Sequence, residues 1–283
     1  MEKIALVTDS TSDLSEEIIK KYDIKVLRLK VIYKDKDYID GVTITSDEVY
    51  DNLVNEIPTT STPLVGDAEK LIKTLEDEGY THVIAIHISS ELSGTLNMVN
   101  LVLEKSKLKT FVFDSKALSM GCGQLVLGCA EMIEKGKTFN QITEQLPAMR
   151  DKITVYFVVD TLKYLIKGGR IGKVSGVVGS IIQLKPIISI GKDGIYYTFE
   201  RIRGKKQAVK RMIELAEESL LKNKARVWVM QGGALEEGKA FLEKIKAFPN
   251  ITEINFGSIG PVLGVHTGPG LMALALIQEP FYT

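Results

Sequence analysis

Over residues 1–160 the apolar positions gather in short β-branched runs separated by longer stretches with helical spacing. Ile4 to Val7 is one such run and ends in the polar turn Asp9-Ser10-Thr11-Ser12. A helical pattern with Ile18 and Ile19 follows, and Val26 to Tyr33 is a second extended run. Thr45-Ser-Asp-Glu48 has capping-box spacing ahead of Val49 and Leu53, which predicts a helix start. Pro63, behind Ser61 and Thr62, opens a helix that runs to Gly79. Strand His82 to Ile88 comes next, then a loop and helix from about Leu92 to Lys105, and strand Thr110 to Phe113. A helix from about Gly121 to Lys135 closes at Gly136, Thr138 and Gln141 cap another, and strand Ile153 to Val159 completes the series. Strands alternating with helices predict right-handed crossovers and a mainly parallel sheet with helices on both faces, an α/β domain over residues 1–160.

The pattern changes after Gly168-Gly169-Arg170. Lys185 to Ile190 and Ile195 to Arg201, joined by Gly191-Lys-Asp-Gly194, predict a hairpin. A helix from Lys205 to Leu221, a strand from Arg226 to Met230, a helix from Leu235 to Phe248, a strand from Ile251 to Phe256 and a final helix from Pro269 follow. This order predicts a smaller mixed-sheet α/β domain over residues 161–283, with the boundary near 160–170. The segment 176–188 is strongly apolar with small residues interspersed and reads equally as core helix or pocket wall.

Composition narrows the function. Lys and Arg together number 36 and Asp and Glu 36, which leaves no basic excess for nucleic acid or another polyanion. Cys122 and Cys129, seven apart in an apolar helical stretch, suit buried thiols in a reducing compartment better than a disulfide. The apolar run at the amino terminus meets Asp9 and Ser10 too soon for a signal peptide, and no stretch approaches the roughly 20 apolar residues of a membrane span. A cytoplasmic protein is expected, whose contact with any lipid is made by hiding it or by touching a membrane briefly.

Ligands of open α/β sheets gather at the carboxyl ends of strands. Hydroxyls and glycines dominate there: Thr8 to Ser12, Thr59 to Thr62, and Ser89 to Thr95. Helix amino termini beside hydroxyls attract a carboxylate or phosphate, although plain capping accounts for any one of these segments alone. His82 and His87 lie five apart on one strand, so they face opposite ways and cannot share a metal. His266 sits among glycines in Gly264-Val-His-Thr-Gly-Pro-Gly270, where it can donate to a carboxylate. Arg170, leaving a glycine turn at the expected junction, suits bidentate anion binding. Arg201, Arg203, Lys205 and Lys206 form a basic cluster. Dinucleotide-binding spacing, a P-loop, a Gly-x-Ser-x-Gly elbow and Cys/His metal clusters are all missing, so the polar groups read as an anion cradle.

Five ordered motifs carry a family resemblance: Val-Thr-Asp-Ser-Thr-Ser-Asp-Leu (7–14), Thr-Thr-Ser-Thr-Pro (59–63), Ser-Ser-x-Leu-Ser-Gly-Thr (89–95), Gly-Gly-Arg-Ile (168–171) and His-Thr-Gly-Pro-Gly (266–270). With them the chain resembles the DegV family along its whole length, although Thr62 stands where the family usually has glutamine. The resemblance implies a long-chain fatty acid, such as palmitate or oleate, held between the two domains. It also implies the lipid-binding subunit of bacterial fatty acid kinase, in which a separate ATP-binding subunit phosphorylates the bound carboxylate to an acyl phosphate for phospholipid synthesis. On that reading the carboxylate meets a hydroxyl from Thr60, Ser61 or Thr62, together with Ser93 at Gly94 and His266, with Arg170 nearby. Arg201 and Arg203 become candidates for docking the kinase, and no metal, cofactor or catalytic residue is expected. The alternative is a stand-alone hydrolase or phosphotransferase built on Ser93, His266 and an acid such as Asp9.

Overall fold

The structure, a computed structural model, describes residues 2–177 and 184–282. From the amino end come β1 (Ile4–Asp9), α1 (Glu16–Lys21), β2 (Lys25–Leu27), β3 (Lys30–Ile32), β4 (Asp37–Ile39), α2 (Ser46–Asn52), β5 (Thr59–Ser61), α3 (Val65–Asp77), β6 (His82–His87), α4 (Thr95–Leu103), β7 (Lys109–Asp114), α5 (Met120–Glu134) and α6 (Phe139–Asp151). The chain continues with β8 (Ile153–Val158), α7 (Lys163–Lys167), β9 (Leu184–Ile190), β10 (Tyr196–Arg203), α8 (Lys205–Leu220), β11 (Ala225–Gly232), α9 (Leu235–Ile245), β12 (Ile251–Ser258), α10 (Pro261–Thr267) and β13 (Leu271–Gln278).

Three sheets result. The first is parallel with order β2-β1-β6-β7. The second has order β10-β9-β8-β13-β11-β12 and is antiparallel except for the β11–β12 pair. A small antiparallel sheet, β4-β3-β5, stands beside them. The parallel strands are apolar on both faces, as a doubly covered sheet requires. Ala5, Val7, Val83 and Ala85 face α3 and α4, while Leu6, Ile84 and Ile86 face α5 and α6. Twelve α5 residues, from Met120 to Met132, are buried, because this helix also packs on β8 and β13 of the second sheet. A helix apolar all round belongs in a core. The layers therefore run α3/α4, first sheet, α5/α6, second sheet, α8/α9, with α5 at the centre of a hydrophobic cluster shared by both halves.

Several elements differ from the sequence expectation. The strand over Ile153–Val158 does not complete the parallel sheet but joins the second, between β13 and β9. The run Val26 to Tyr33 splits into β2 and β3 in different sheets, and the Leu29 N–H donates to the Ser10 hydroxyl at the break (3.1 Å). Thr59–Ser61 forms strand β5, and the helix starts beyond Pro63 at Val65. The expected final helix from Pro269 is strand β13: Leu, Met and Ala favour helix, but a position between β8 and β11, apolar on both faces, decides for strand. His266 lies on the last turn of α10 rather than in a loop. Of the apolar segment 176–188, positions 178–183 lie outside the described residues, and Leu184–Ile188 belongs to β9.

Candidate ligand-binding site

A cavity of about 250 Å³ opens at the carboxyl edge of the first sheet, and all seven residues assigned to head-group binding line it. Thr60 and Ser61 come from β5, with Thr62 just beyond; Ser93 and Gly94 form the amino end of α4, Arg170 follows α7, and His266 ends α10. Each is placed by local chemistry. Ser93 Oγ accepts from the Thr95 N–H (3.3 Å) and hydrogen-bonds the Thr95 hydroxyl (2.9 Å), fixing the start of a helix whose first N–H groups have no intrahelical acceptor. Gly169, at φ 70°, lets α7 close with Arg170 N–H on Leu165 O (2.9 Å) and Gly169 N–H on Ile166 O (3.0 Å), the Schellman pattern. The turn throws the Arg170 side chain across the cavity, where Nε donates to Leu92 O (3.1 Å) and an Nη to Gly168 O (2.6 Å). His266 Nε2 is 2.9 Å from Thr60 Oγ1. Its Nδ1 has no partner and faces Gly168, where a β-carbon would sit 2.1 Å from it. Burial first, and the Arg170 charge second, push the His266 imidazole down to about 4, so it is neutral at ordinary pH.

The interior of the cavity is apolar. Ile88, Leu92, Leu118, Tyr196 and Leu263 line it, and the last three also border a narrow continuation of about 30 Å³ walled by Phe157, Leu271 and Ala273. Phe157 and Tyr196 meet edge to face there, with ring centroids 5.2 Å apart. The space is thus polar at one end and hydrocarbon-like at the other.

The arrangement needed for a Ser93–His266–Asp9 nucleophile is not assembled: Ser93 bonds Thr95, and His266 bonds Thr60. Asp9 lies buried at the end of β1, its carboxylate taking hydrogen bonds from Thr11 N–H (3.0 Å) and Ile88 N–H (3.0 Å) and meeting His87 Nδ1 at 2.9 Å. Arg201 and Arg203 are exposed on the outer strand β10, away from the cavity lining. Cys122 and Cys129 are free and buried in α5. Among the described residues no helix is long and apolar enough to cross a membrane, and no cluster of His, Cys, Asp or Glu is arranged to hold a metal ion.

Sequence reasoning missed three features. One is the Asp9–His87 pair, which depends on the register of β1 against β6. Another is the pair Asp13 and Asp40 at the start of α10. The third is the apolar wall made by Leu118, Tyr196 and Leu263. The only local signal was the acid at each end of Asp9-Ser-Thr-Ser-Asp13.

Fold and cavity together define an α/β protein of two large sheets and one small one, enclosing a slot with a polar mouth. Residues 3–279 match the family described as uncharacterised protein, DegV family. A DegV domain-containing protein of Clostridium acetobutylicum is 54% identical over 99% of this chain and 100% of its own length. Among solved structures, a fatty-acid-binding DegV family protein from Thermus thermophilus superposes with a TM-score of 0.92 at 30% identity, covering 98% of this chain and 99% of that one. The fatty-acid-binding DegV of Bacillus subtilis gives 0.91 at 29% identity over 99% and 100% of the two chains. A stearic-acid-binding protein from Eubacterium ventriosum gives 0.85 at 30% identity over 99% of each. The chain belongs to the DegV family.

Proposed function

We propose that this protein binds one long-chain fatty acid, such as palmitate or oleate, and presents its carboxylate to a separate ATP-binding kinase subunit that converts it to an acyl phosphate for phospholipid synthesis. The observation that carries the reading is one cavity with hydroxyls, Arg170 and a neutral His266 at its mouth and mainly apolar walls within, where Ser119 and Thr267 are the polar side chains. Similar solved structures from Thermus thermophilus and Bacillus subtilis are described as fatty acid binding, which supports it. The carboxylate sits among Thr60, Ser61, Thr62, Ser93, Gly94 and His266, with Arg170 adding charge, and the alkyl chain runs past Leu118 and Leu263 into the narrow continuation, which widens around it.

Magnitudes favour such a ligand. A sixteen-carbon tail carries about 14 methylenes at about 0.8 kcal/mol each, or on the order of 11 kcal/mol before entropy losses. Hydrogen bonds to the charged head return roughly 1.5–3 kcal/mol each, which offsets its desolvation. Two Arg170 donors are already engaged by backbone carbonyls, and His266 is neutral, so the head group is held mainly by shared hydrogen bonds and stays open to phosphoryl transfer. This chain positions the acceptor, and the partner supplies ATP and its metal. Arg201 and Arg203 offer an exposed basic docking point for the kinase, in the cytoplasm, and brief contact with a membrane surface loads the ligand.

Mass spectrometry of lipid extracted from purified protein tests the first half: about one long-chain fatty acid per chain is expected. A protein that comes out empty and takes up neither labelled palmitate nor oleate overturns it. For the second half, the loaded protein plus an ATP-binding kinase subunit and ATP yields acyl phosphate. The Arg201→Glu/Arg203→Glu pair should lower that yield while leaving lipid binding intact.

A further inference from the structure

A second cleft, of about 450 Å³, lies on the far side of the loop that joins β7 to α5, and it is amphipathic. Ala117, Ile153, Val155 and Ile190 give it an apolar wall, while Lys116, Arg150 and Lys192 stand at its more exposed positions. Lys116 Nζ is bound to Asp114 (2.8 Å), and the Arg150 guanidinium lies 5.3 Å from the Phe113 ring centroid with a long hydrogen bond to Asp114 O (3.5 Å). Lys192 comes from the β9–β10 turn and has no hydrogen bond or ion pair among the described residues. Of the lining residues only Asp151 is acidic.

Val155 borders both this cleft and the narrow continuation of the lipid slot, and it stays partly exposed although it faces α5 between the two sheets. Gly121 carries no side chain to wedge it in place: a β-carbon there would sit 3.0 Å from Val155 Cγ2 and 3.1 Å from Ala117 Cβ. The loop 115–119 completes the partition, with Ser115, Lys116 and Ala117 on the cleft and Leu118 and Ser119 on the slot. Lys116 and Ser119 both hold positive φ (52° and 48°), a strain that side chains bear only where their surroundings impose it and that gathers at ligand sites. Ser119 is pinned by its N–H on Thr11 O (2.8 Å) and its hydroxyl on Asp13 Oδ2 (2.5 Å), while the other Asp13 oxygen takes the Gly260 N–H (2.9 Å).

We propose that this cleft is a second anion site and that the slot opens into it past Val155, so that the protein also takes long-chain dicarboxylic acids, with one carboxylate among Thr60, Ser93 and His266 and the other at Arg150 and Lys192. The inference rests on the fatty-acid reading of the slot and adds a second polar end to it. Along the path the lining runs from hydroxyls and Arg170, through Leu118, Phe157 and Val155, to Arg150 and Lys192. Hydrocarbon walls are thus bracketed by two groups of anion-binding side chains. Phe157 on the slot and Ile153 on the cleft are four residues apart on β8, about 13 Å at about 3.3 Å per residue, so only a long chain joins the two ends. A monocarboxylic acid leaves the cleft to water, whereas a diacid of matching length sets a charge in it. Arg150 is the stronger partner there. Its guanidinium is pre-oriented over Phe113 and has donors beyond the one on Asp114 O, which suits a carboxylate bound through two N–H groups. Lys192 adds a point charge, and Thr154 and Tyr197 border the same space with hydroxyls.

Isothermal titration of delipidated protein with palmitate and with hexadecanedioate tests the second site apart from the first. The wild type should bind hexadecanedioate within about tenfold of palmitate, since a far carboxylate left unpaired against the apolar wall would weaken binding by about a hundredfold or more. Arg150→Gln/Lys192→Gln should lose about tenfold or more for hexadecanedioate and leave palmitate unchanged. Lys192→Gln alone lies on an exposed turn where the fold is not at stake, and it should lose severalfold for the diacid only. Hexadecanedioate that binds about a hundredfold more weakly than palmitate, or equally to the wild type and the double variant, overturns the second site and leaves the fatty-acid reading standing. A double variant that weakens both ligands by the same factor also overturns it, because the two side chains would then serve the fold rather than the far carboxylate. Uptake of neither ligand by the wild type overturns both readings together.

Discussion

Asp9 and Asp13 lie four residues apart on one strand and turn, and they ionise in opposite directions. Asp9 is fully enclosed in the first sheet, whereas Asp13 is partly covered at the foot of a cleft. Burial pushes both carboxyls up. At Asp9 the hydrogen bond and charge of His87, with Thr11 and the Ile88 N–H, reverse it and hold the acid below its ordinary value. At Asp13 the two hydrogen bonds do not suffice against crowding and the neighbouring acids, and it rises to about 8. The more deeply buried acid is the stronger one, so partners rather than depth decide. The first region pairs its acid with a histidine inside the fold, and the second sets its acid at the start of the helix that serves the cavity.

The largest expected break in this contrast is His87→Ala, which strands the Asp9 carboxylate without its main partner. Removing one member of a buried pair costs about 3–5 kcal/mol, readable as a lowered midpoint in urea. A loss below about 1 kcal/mol would show that Asp9 does not depend on His87. Next comes Gly168→Ala, whose β-carbon overlaps His266 Nδ1; displacing that ring should weaken fatty acid binding by about tenfold or more while the unfolding midpoint moves little. Asp13→Asn acts on stability with a sign that can be worked out. In the unfolded chain Asp13 loses its proton near pH 4, and in the fold near 8, so the wild type loses stability progressively between those values and regains none above them. The amide escapes this loss. Its Tm should equal or fall below that of the wild type at pH 4 and exceed it at pH 8, by roughly 2–4 °C per kcal/mol. A constant difference across that range would mean that Asp13 is ionised throughout. Smallest is Ser93→Ala, which removes one neutral hydroxyl and part of the α4 start, and should lower lipid affinity only severalfold by isothermal titration.

What the sequence made legible follows the range of the interactions. The helices capped at Thr45 and Thr138 were readable because each capping box closes within three residues, and both boxes are present. The pattern alone showed hydroxyls and glycines at ends of strands and helices; the resemblance to the DegV family singled out the seven residues, and they do share one cavity. Helix α10 was hidden, since its caps come from Asp13 and Asp40, more than 200 residues away. β13 was misjudged because Leu, Met and Ala say helix locally, while two flanking strands impose the ladder. Periodicity also shows that 153–158 is a strand without showing which sheet it joins.

The sharing of α5 between both sheets bears on how contents are exchanged. A central rod clamped on two sides ties the halves together, so exchange of a ligand is expected to open the cavity rim locally rather than swing one half against the other. Heating should correspondingly melt the whole body in a single calorimetric transition, without a separate event for each half.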